Sequence, residues 1–189
     1  MHSGSGYRRD SLRLPWWDYS QAGWYFVTVC TNKRQCVLGE IVEGSMALSP
    51  AGLIVEEEWR RRTIVRQHVE LDEFVMMPNH LHGILVINEG PKKMSHRDVS
   101  TRSRLRPHSL GAIIGQFKSM CTKRIRGCGF SQFGWQARFY EHIIRDERSL
   151  GSIRQYIADN PAKWELDADN PENFRRTKRT FQRNVATKR

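Results

Sequence analysis

Two histidines one residue apart, His80 and His82, are the clearest candidates for chemistry in this chain. On a strand, residues i and i+2 point to the same face. Their Cβ atoms lie roughly 6–7 Å apart, so two imidazoles can converge on one ion. Leu81, between them, would then face the core. Imidazole suits Mn, Zn, Fe, Ni or Cu, and joins Mg only in a mixed set with oxygen ligands. The competing reading is two surface histidines beside a turn. A second constellation is Tyr156 with Asn160. On a helix these i and i+4 positions share one face, about 6 Å apart. A phenol and an amide oxygen can there serve one reaction centre, and the amide oxygen complements two imidazoles for Mg²⁺ or Mn²⁺. Taken alone, the pair also reads as a half-buried helical tyrosine and a C-terminal cap. Combined, the four residues make a minimal phosphodiester-cleaving set: an ion polarises the phosphate and a phenol oxygen attacks phosphorus. A free tyrosine has a pKa of about 10 and needs activation, and no residue is identified as its proton acceptor. Tyr140 is a rival nucleophile, but its i+4 partner is Ile144, which cannot ligate. Glu141 and His142, beside Tyr140, read as supporting groups or as cross-strand packing.

The elements that must position these residues are legible from pattern. Residues 24–31 (WYFVTVCT) are β-branched and aromatic, hence a strand. Residues 36–48 read as a hairpin turning at Glu43-Gly44-Ser45. Ser49-Pro50 starts a helix running to about Gln67, with Ile54, Val55 and Trp59 toward the core and Arg60, Arg61 and Arg62 outward. Residues 69–77 and 80–87 are strands joined by Pro78-Asn79. Ser109 caps a helix with Leu110, Ile113, Ile114, Phe117, Cys121 and Ile125 at helical spacing, and Lys118, Lys123, Arg124 and Arg126 on its outer side. An aromatic strand lies within 133–145, and a last helix runs from about Asp146 to Asn160, where Asn160-Pro161 stops it. This irregular interleaving predicts an antiparallel α+β sheet with helices on one face, not a doubly wound fold. Dinucleotide and P-loop fingerprints are missing, so those enzyme classes have no support.

The chain has 189 residues, which predicts one domain, and its 39% apolar content with 6 Trp, 8 Phe and 5 Tyr can build a core. No apolar run reaches the roughly 18 residues of a membrane helix, and no apolar segment follows Met1–Gly6, so neither membrane nor secretory signal is expected. The four cysteines form no C-x-x-C pair, which argues against a zinc ribbon and for a reduced, cytoplasmic compartment. A formal charge of +11 points to a polyanion partner. Its location is uneven: residues 91–108 carry a net +5 and residues 171–189 a net +6, so the remainder is balanced. The expected organisation is an arm over 1–23, a domain over 24–165 holding the basic loop, and a basic tail over 166–189. Arg8, Arg9, Lys118, Lys123, Arg124 and Arg126 are the candidate DNA-binding cations, with Trp16, Trp17 and Phe174 as stacking platforms.

The run Met76-Met77-Pro78-Asn79-His80-Leu81-His82-Gly83 resembles the histidine–hydrophobe–histidine motif of the HUH endonucleases. Trp135-Gln136, Tyr140-Glu141-His142-Ile143-Ile144-Arg145 and Tyr156-Ile157-Ala158-Asp159-Asn160-Pro161 resemble the single-tyrosine transposases. The Tyr-x-x-x-Asn-Pro ending resembles the REP-associated tyrosine transposases within that group. Arg8-Arg9, Asp18-Tyr19-Ser20 and Tyr25-Phe26-Val27-Thr28 also fit, so the resemblance spans roughly residues 8–165. It implies a ferredoxin-like (RRM-like) α+β fold and metal-dependent cleavage and rejoining of single-stranded DNA through a 5′-phosphotyrosine. It also implies Tyr156 as nucleophile, His80, His82 and Asn160 as ligands of Mg²⁺ or Mn²⁺, and hairpin DNA of the REP type as substrate. The expected protein is cytoplasmic and nucleoid-associated, a monomer or homodimer with no membrane partner. The alternatives are a non-catalytic DNA or RNA hairpin binder and, less well supported by cysteine spacing, a zinc-stabilised structural domain.

Overall fold

A computed structural model describes residues 17–89, 108–167 and 169–173. Arg8, Arg9 and Trp16, most of the basic loop and most of the tail, Phe174 included, lie outside the described residues. The elements follow as β1 (Gly23–Cys30), β2 (Gly39–Val42), β3 (Ser45–Leu48), α1 (Pro50–Arg60), α2 (Arg62–Val65), β4 (Val69–Met77), β5 (His80–Ile87), α3 (Leu110–Gly127), β6 (Tyr140–Ile144) and α4 (Glu147–Asp159). Strands β4, β5, β1 and β6 lie side by side in that order, all antiparallel, while β2 and β3 form a separate hairpin. Two strand–helix–strand crossovers, from β1 to β4 and from β5 to β6, put the last strand next to the first. This is the expected ferredoxin-like α+β arrangement.

Local chemistry accounts for the boundaries. The Ser49 Oγ accepts from Gly52 N at 3.1 Å ahead of Pro50, and the Ser109 Oγ accepts from Ala112 N at 3.3 Å, so both crossover helices carry hydroxyl caps. Asp146 caps α4 by accepting from Ser149 N at 2.8 Å. The β2–β3 turn places Glu43 and Gly44 at φ 50° and 74°, the left-handed pair that a two-residue hairpin demands.

Alternation along β1 and β5 divides the sheet into two faces. Tyr25, Val27 and Val29 with Leu81, Leu85 and Ile87 pack under Val55 and Trp59 of α1 and Ile113, Ile114, Phe117 and Cys121 of α3. Gly83 belongs to this face. A Cβ there would lie 2.6 Å from the Trp59 ring, so the indole packs where a side chain would stand. Phe26, Ile84 and Ile144 pack on the opposite face against Leu150 and Ile157 of α4. The expectation of helices on one face is therefore corrected: α4 covers the other, because its apolar stripe meets the even-numbered residues of the strands.

Two further expectations change. The helix after Ser49 breaks at Arg61 into α1 and α2. Arg62 does not point outward but is 1% exposed, with its Nη2 2.9 Å from the Glu58 carboxylate, also 1% exposed. The aromatic strand shortens to β6, while Trp135 makes only an isolated bridge to Thr31. Trp17 donates to the Tyr25 hydroxyl at 3.3 Å, and the Tyr19 carbonyl accepts from Leu110 N at 2.8 Å, so the end of the arm packs on the domain.

Candidate active site

Strand β5 sets the two imidazoles on the α4 face. In register, Thr28 stands opposite His82 and Cys30 opposite His80, while Leu81 points into the other core as expected. Both histidines are buried, at 0% and 4% exposed, and their Nε2 atoms are 2.9 Å apart. Their outer nitrogens are held too: His82 Nδ1 lies 2.8 Å from Thr28 Oγ1, and His80 Nδ1 2.7 Å from Asn79 Oδ1. Asn79 Nδ2 donates to two backbone carbonyls, so its Oδ1 can only accept. His80 Nδ1 therefore carries a proton, and its Nε2 presents a lone pair. Burial pushes both imidazolium pKa values down, that of His80 well below its ordinary value and that of His82 to about 4. Both rings are neutral near pH 7, the form that ligates metals.

Helix α4 brings Tyr156 over this pair. Its hydroxyl is 3.2 Å from His82 Nε2, and the residue is 47% exposed. Phe26 stacks on His82 at 5.4 Å between ring centres and meets Tyr156 edge-on at 6.0 Å, which wedges the nucleophile candidate against the imidazole. Burial raises the Tyr156 pKa, hydrogen bonding with the Asn160 side chain opposes the rise, and the Asp167 charge adds to it. The phenol therefore rests neutral. Tyr140, the rival, stands on β6 with its ring 6.3 Å from Phe26, and it too is 47% exposed.

Asn160 sits at the end of α4, 3% exposed, and its Oδ1 has no hydrogen-bond partner among the described residues. A buried amide oxygen without a donor costs free energy, which a cation facing it would relieve. Sequence reasoning missed Asp167. The chain leaves Asn160 through a 3-10 helix, Pro161–Leu166, and Asp167 then turns back toward the histidines. One ligand atom each from His80, His82 and Asp167 lie within 4.8 Å of one another. Burial raises the Asp167 pKa, and the Arg34 charge opposes it. Two neutral imidazoles and a carboxylate form a mixed nitrogen–oxygen donor set that fits a divalent ion. The only signal in the sequence was one of several acidic residues after Asn160-Pro161, indistinguishable from its neighbours. The site also passes residue 165, the expected end of the domain.

Three of the α3 cations make contacts within the domain. Lys118 Nζ donates to the Gln136 and Arg138 carbonyls at 2.8 and 3.0 Å, and burial lowers its pKa to about 8. Arg124 bridges to Glu57 and Glu58 of α1 at 2.6 and 2.8 Å, and Arg126 Nε donates to the Phe133 carbonyl at 3.0 Å. Lys123 is exposed. Three of the four α3 cations among the six expected to grip DNA thus brace α3 against its surroundings.

Among the described residues no helix is long and apolar enough to cross a membrane. No family model matches the chain. It is 37% identical over 166 residues to an uncharacterized protein of Haemophilus influenzae, covering 85% of this chain and 92% of that one. It is 26% identical over 149 residues to the REP-associated tyrosine transposase of Escherichia coli K12, covering 77% and 70%. Among solved structures, a REP-associated tyrosine transposase bound to a REP hairpin matches with a TM-score of 0.56 at 22% identity, covering 82% of this chain and 73% of that one. That likeness supports the same α+β fold.

Proposed function

Because the chain belongs to the REP-associated tyrosine transposases, we propose that it cleaves and rejoins single-stranded, hairpin-forming DNA through a covalent 5′-phosphotyrosine. The observation that carries this reading is the Tyr156 hydroxyl 3.2 Å from His82 Nε2, on a partly exposed face beside a buried histidine pair. Tyr156 Oη is the nucleophile. It forms a bond to phosphorus as the bond to the 3′-oxygen breaks; the phenol gives up one proton and the leaving oxygen gains one, ending as a 3′-hydroxyl. The reverse attack by a 3′-hydroxyl rejoins the strand. His80 and His82, with oxygen from Asp167 and Asn160, would hold Mg²⁺ or Mn²⁺. When bound there, the ion would polarise the scissile phosphate and offset the charge developing on it. Phe26 keeps the Tyr156 and His82 rings in contact, and Thr28 and Asn79 fix the two imidazole orientations.

The hairpin is the ligand of the solved relative, and the basic segments 91–108 and 171–189, with Lys123, are the cations proposed to contact phosphates here. If they do, affinity falls steeply with salt, and deleting 171–189 flattens that slope.

The test incubates labelled single-stranded hairpin oligonucleotides with the full chain and Mg²⁺ or Mn²⁺. A denaturation-resistant protein–DNA adduct is expected, absent with EDTA, with Tyr156→Phe and with His80→Ala. An adduct that persists in Tyr156→Phe overturns the nucleophile assignment. A gel shift without adduct in either metal replaces this reading with the non-catalytic hairpin binder.

A further inference from the structure

One fully buried amide joins the separate parts of the site. Asn79 lies in the Pro78–Asn79 turn between β4 and β5 and is 0% exposed. Its Oδ1 accepts from His80 Nδ1 at 2.7 Å. Its Nδ2 donates to the Asp169 carbonyl at 2.7 Å and to the Arg34 carbonyl at 3.1 Å. Its own carbonyl accepts from the Thr31 amide at 2.9 Å and the Thr31 hydroxyl at 3.0 Å. The side chain thus spends both N–H groups and its oxygen on three segments far apart in the chain.

Those segments are the ones the site needs. Asp169 stands two residues beyond Asp167, and its amide donates to the Asp167 carboxylate at 2.5 Å. The Asp167 carbonyl accepts from Asn173 Nδ2 at 2.8 Å, so Asp167 is tied by hydrogen bonds to both Asp169 and Asn173. Arg34 also ion-pairs with the Asp169 carboxylate. Lys33 and Arg34 sit in the left-handed region, at φ 53° and 55°, a backbone state that non-glycine residues keep only when held. The Arg34 carbonyl produced by that turn is one of the two that Asn79 binds.

We propose that Asn79 is a positioning residue: its oxygen fixes His80 with the Nε2 lone pair turned inward, and its N–H groups latch the 167–173 segment so that Asp167 reaches the histidine pair. The metal half of this inference rests on the divalent-ion site proposed above. Few side chains can substitute. Aspartate offers His80 its acceptor but presents no hydrogen to the two carbonyls, and alanine offers nothing. Partners that orient metal-binding imidazoles typically change metal affinity 10–100-fold when removed.

The test uses the full chain without DNA and measures Mn²⁺ affinity by calorimetry together with amide hydrogen exchange. Asn79→Ala should weaken Mn²⁺ binding by roughly 10–100-fold and speed exchange across 167–173 while the amides of β1 and α3 stay protected. Asn79→Asp, which keeps the His80 contact, should release 167–173 to the same extent. It also serves if the alanine variant does not fold. Asp167→Asn should weaken Mn²⁺ binding and leave exchange at 169–173 unchanged, separating the ligand from its latch. A purely structural role predicts lower thermal stability with unchanged Mn²⁺ affinity of the folded protein, and that result overturns the proposal. So does protection of 167–173 persisting in Asn79→Asp. A wild-type chain that binds no Mn²⁺ overturns the metal reading and the metal half of this inference together, while the exchange measurement still decides whether Asn79 is a latch.

Discussion

The two faces of the central sheet are made from the same strands and do opposite work. On the α1–α3 face, odd-numbered residues of β1 and β5 bury a continuous apolar core around Trp59 and Phe117. On the α4 face, even-numbered residues bury a smaller cluster around Phe26 and Ile84, and beside it the strands carry His80, His82 and Thr28 under a half-exposed tyrosine. One face invests in apolar area and the other in oriented polar groups, which cost stability unless every one is partnered. Asn160 Oδ1, buried and without a hydrogen-bond partner among the described residues, lies at the end of α4 on the second face.

Substitutions can break or sharpen this division. The largest stability loss is expected at Trp59→Ala: a fully buried indole on the apolar face should cost about 3–5 kcal/mol in denaturant unfolding, while the fraction that stays folded still forms the DNA adduct. A loss below about 1 kcal/mol would mean that Trp59 does not anchor that face. Gly83→Ala forces a methyl against the Trp59 ring and should cost about 1–3 kcal/mol, again without a loss of adduct per folded molecule. Loss of adduct exceeding loss of folded protein would show that the faces are coupled through β5.

Arg154→Gln acts on the α4 face. It removes a bidentate pair to Asp72, at 2.8 and 2.6 Å, that ties the tyrosine helix to the β4 bulge between Leu71 and Phe74. With Arg154 42% exposed and its charge screened by solvent, the expected stability cost is small. The Arg154 hydrogen bond holds the Asp72 carboxyl below its ordinary pKa. A depressed folded pKa gives stability that is present above the unfolded value of about 4 and lost as pH falls through the folded one. Wild-type and variant unfolding curves should therefore converge in acid; a difference that persists there would mean that Arg154 acts by packing on Trp24 instead. The smallest stability change is expected at Tyr156→Phe, within about 0.5 kcal/mol for a half-exposed hydroxyl, together with complete loss of adduct.

What the sequence revealed and what it hid follow the same physics. The period of two in residues 80–87 places both histidines on one face and Leu81 on the other, because side-chain direction on a strand is a local property. The caps at Ser49 and Ser109, and the helix start near Asp146, are equally local. Arg62 was misplaced because the helix breaks at Arg61 and turns it inward onto Glu58. The partners of Arg124 lie 66 and 67 residues away, so its commitment to α1 cannot be seen in α3 alone. Asp167 was hidden for the same reason: it reaches the histidines through an Asn79–Asp169 bond spanning 90 residues.

The most direct measurement of the central claim is to map the attachment point of cleaved DNA on the protein by tryptic digestion and mass spectrometry. The histidine–tyrosine geometry predicts a nucleotide-bearing peptide over 155–163, modified at Tyr156. Attachment to the peptide over 139–145, at Tyr140, would contradict it.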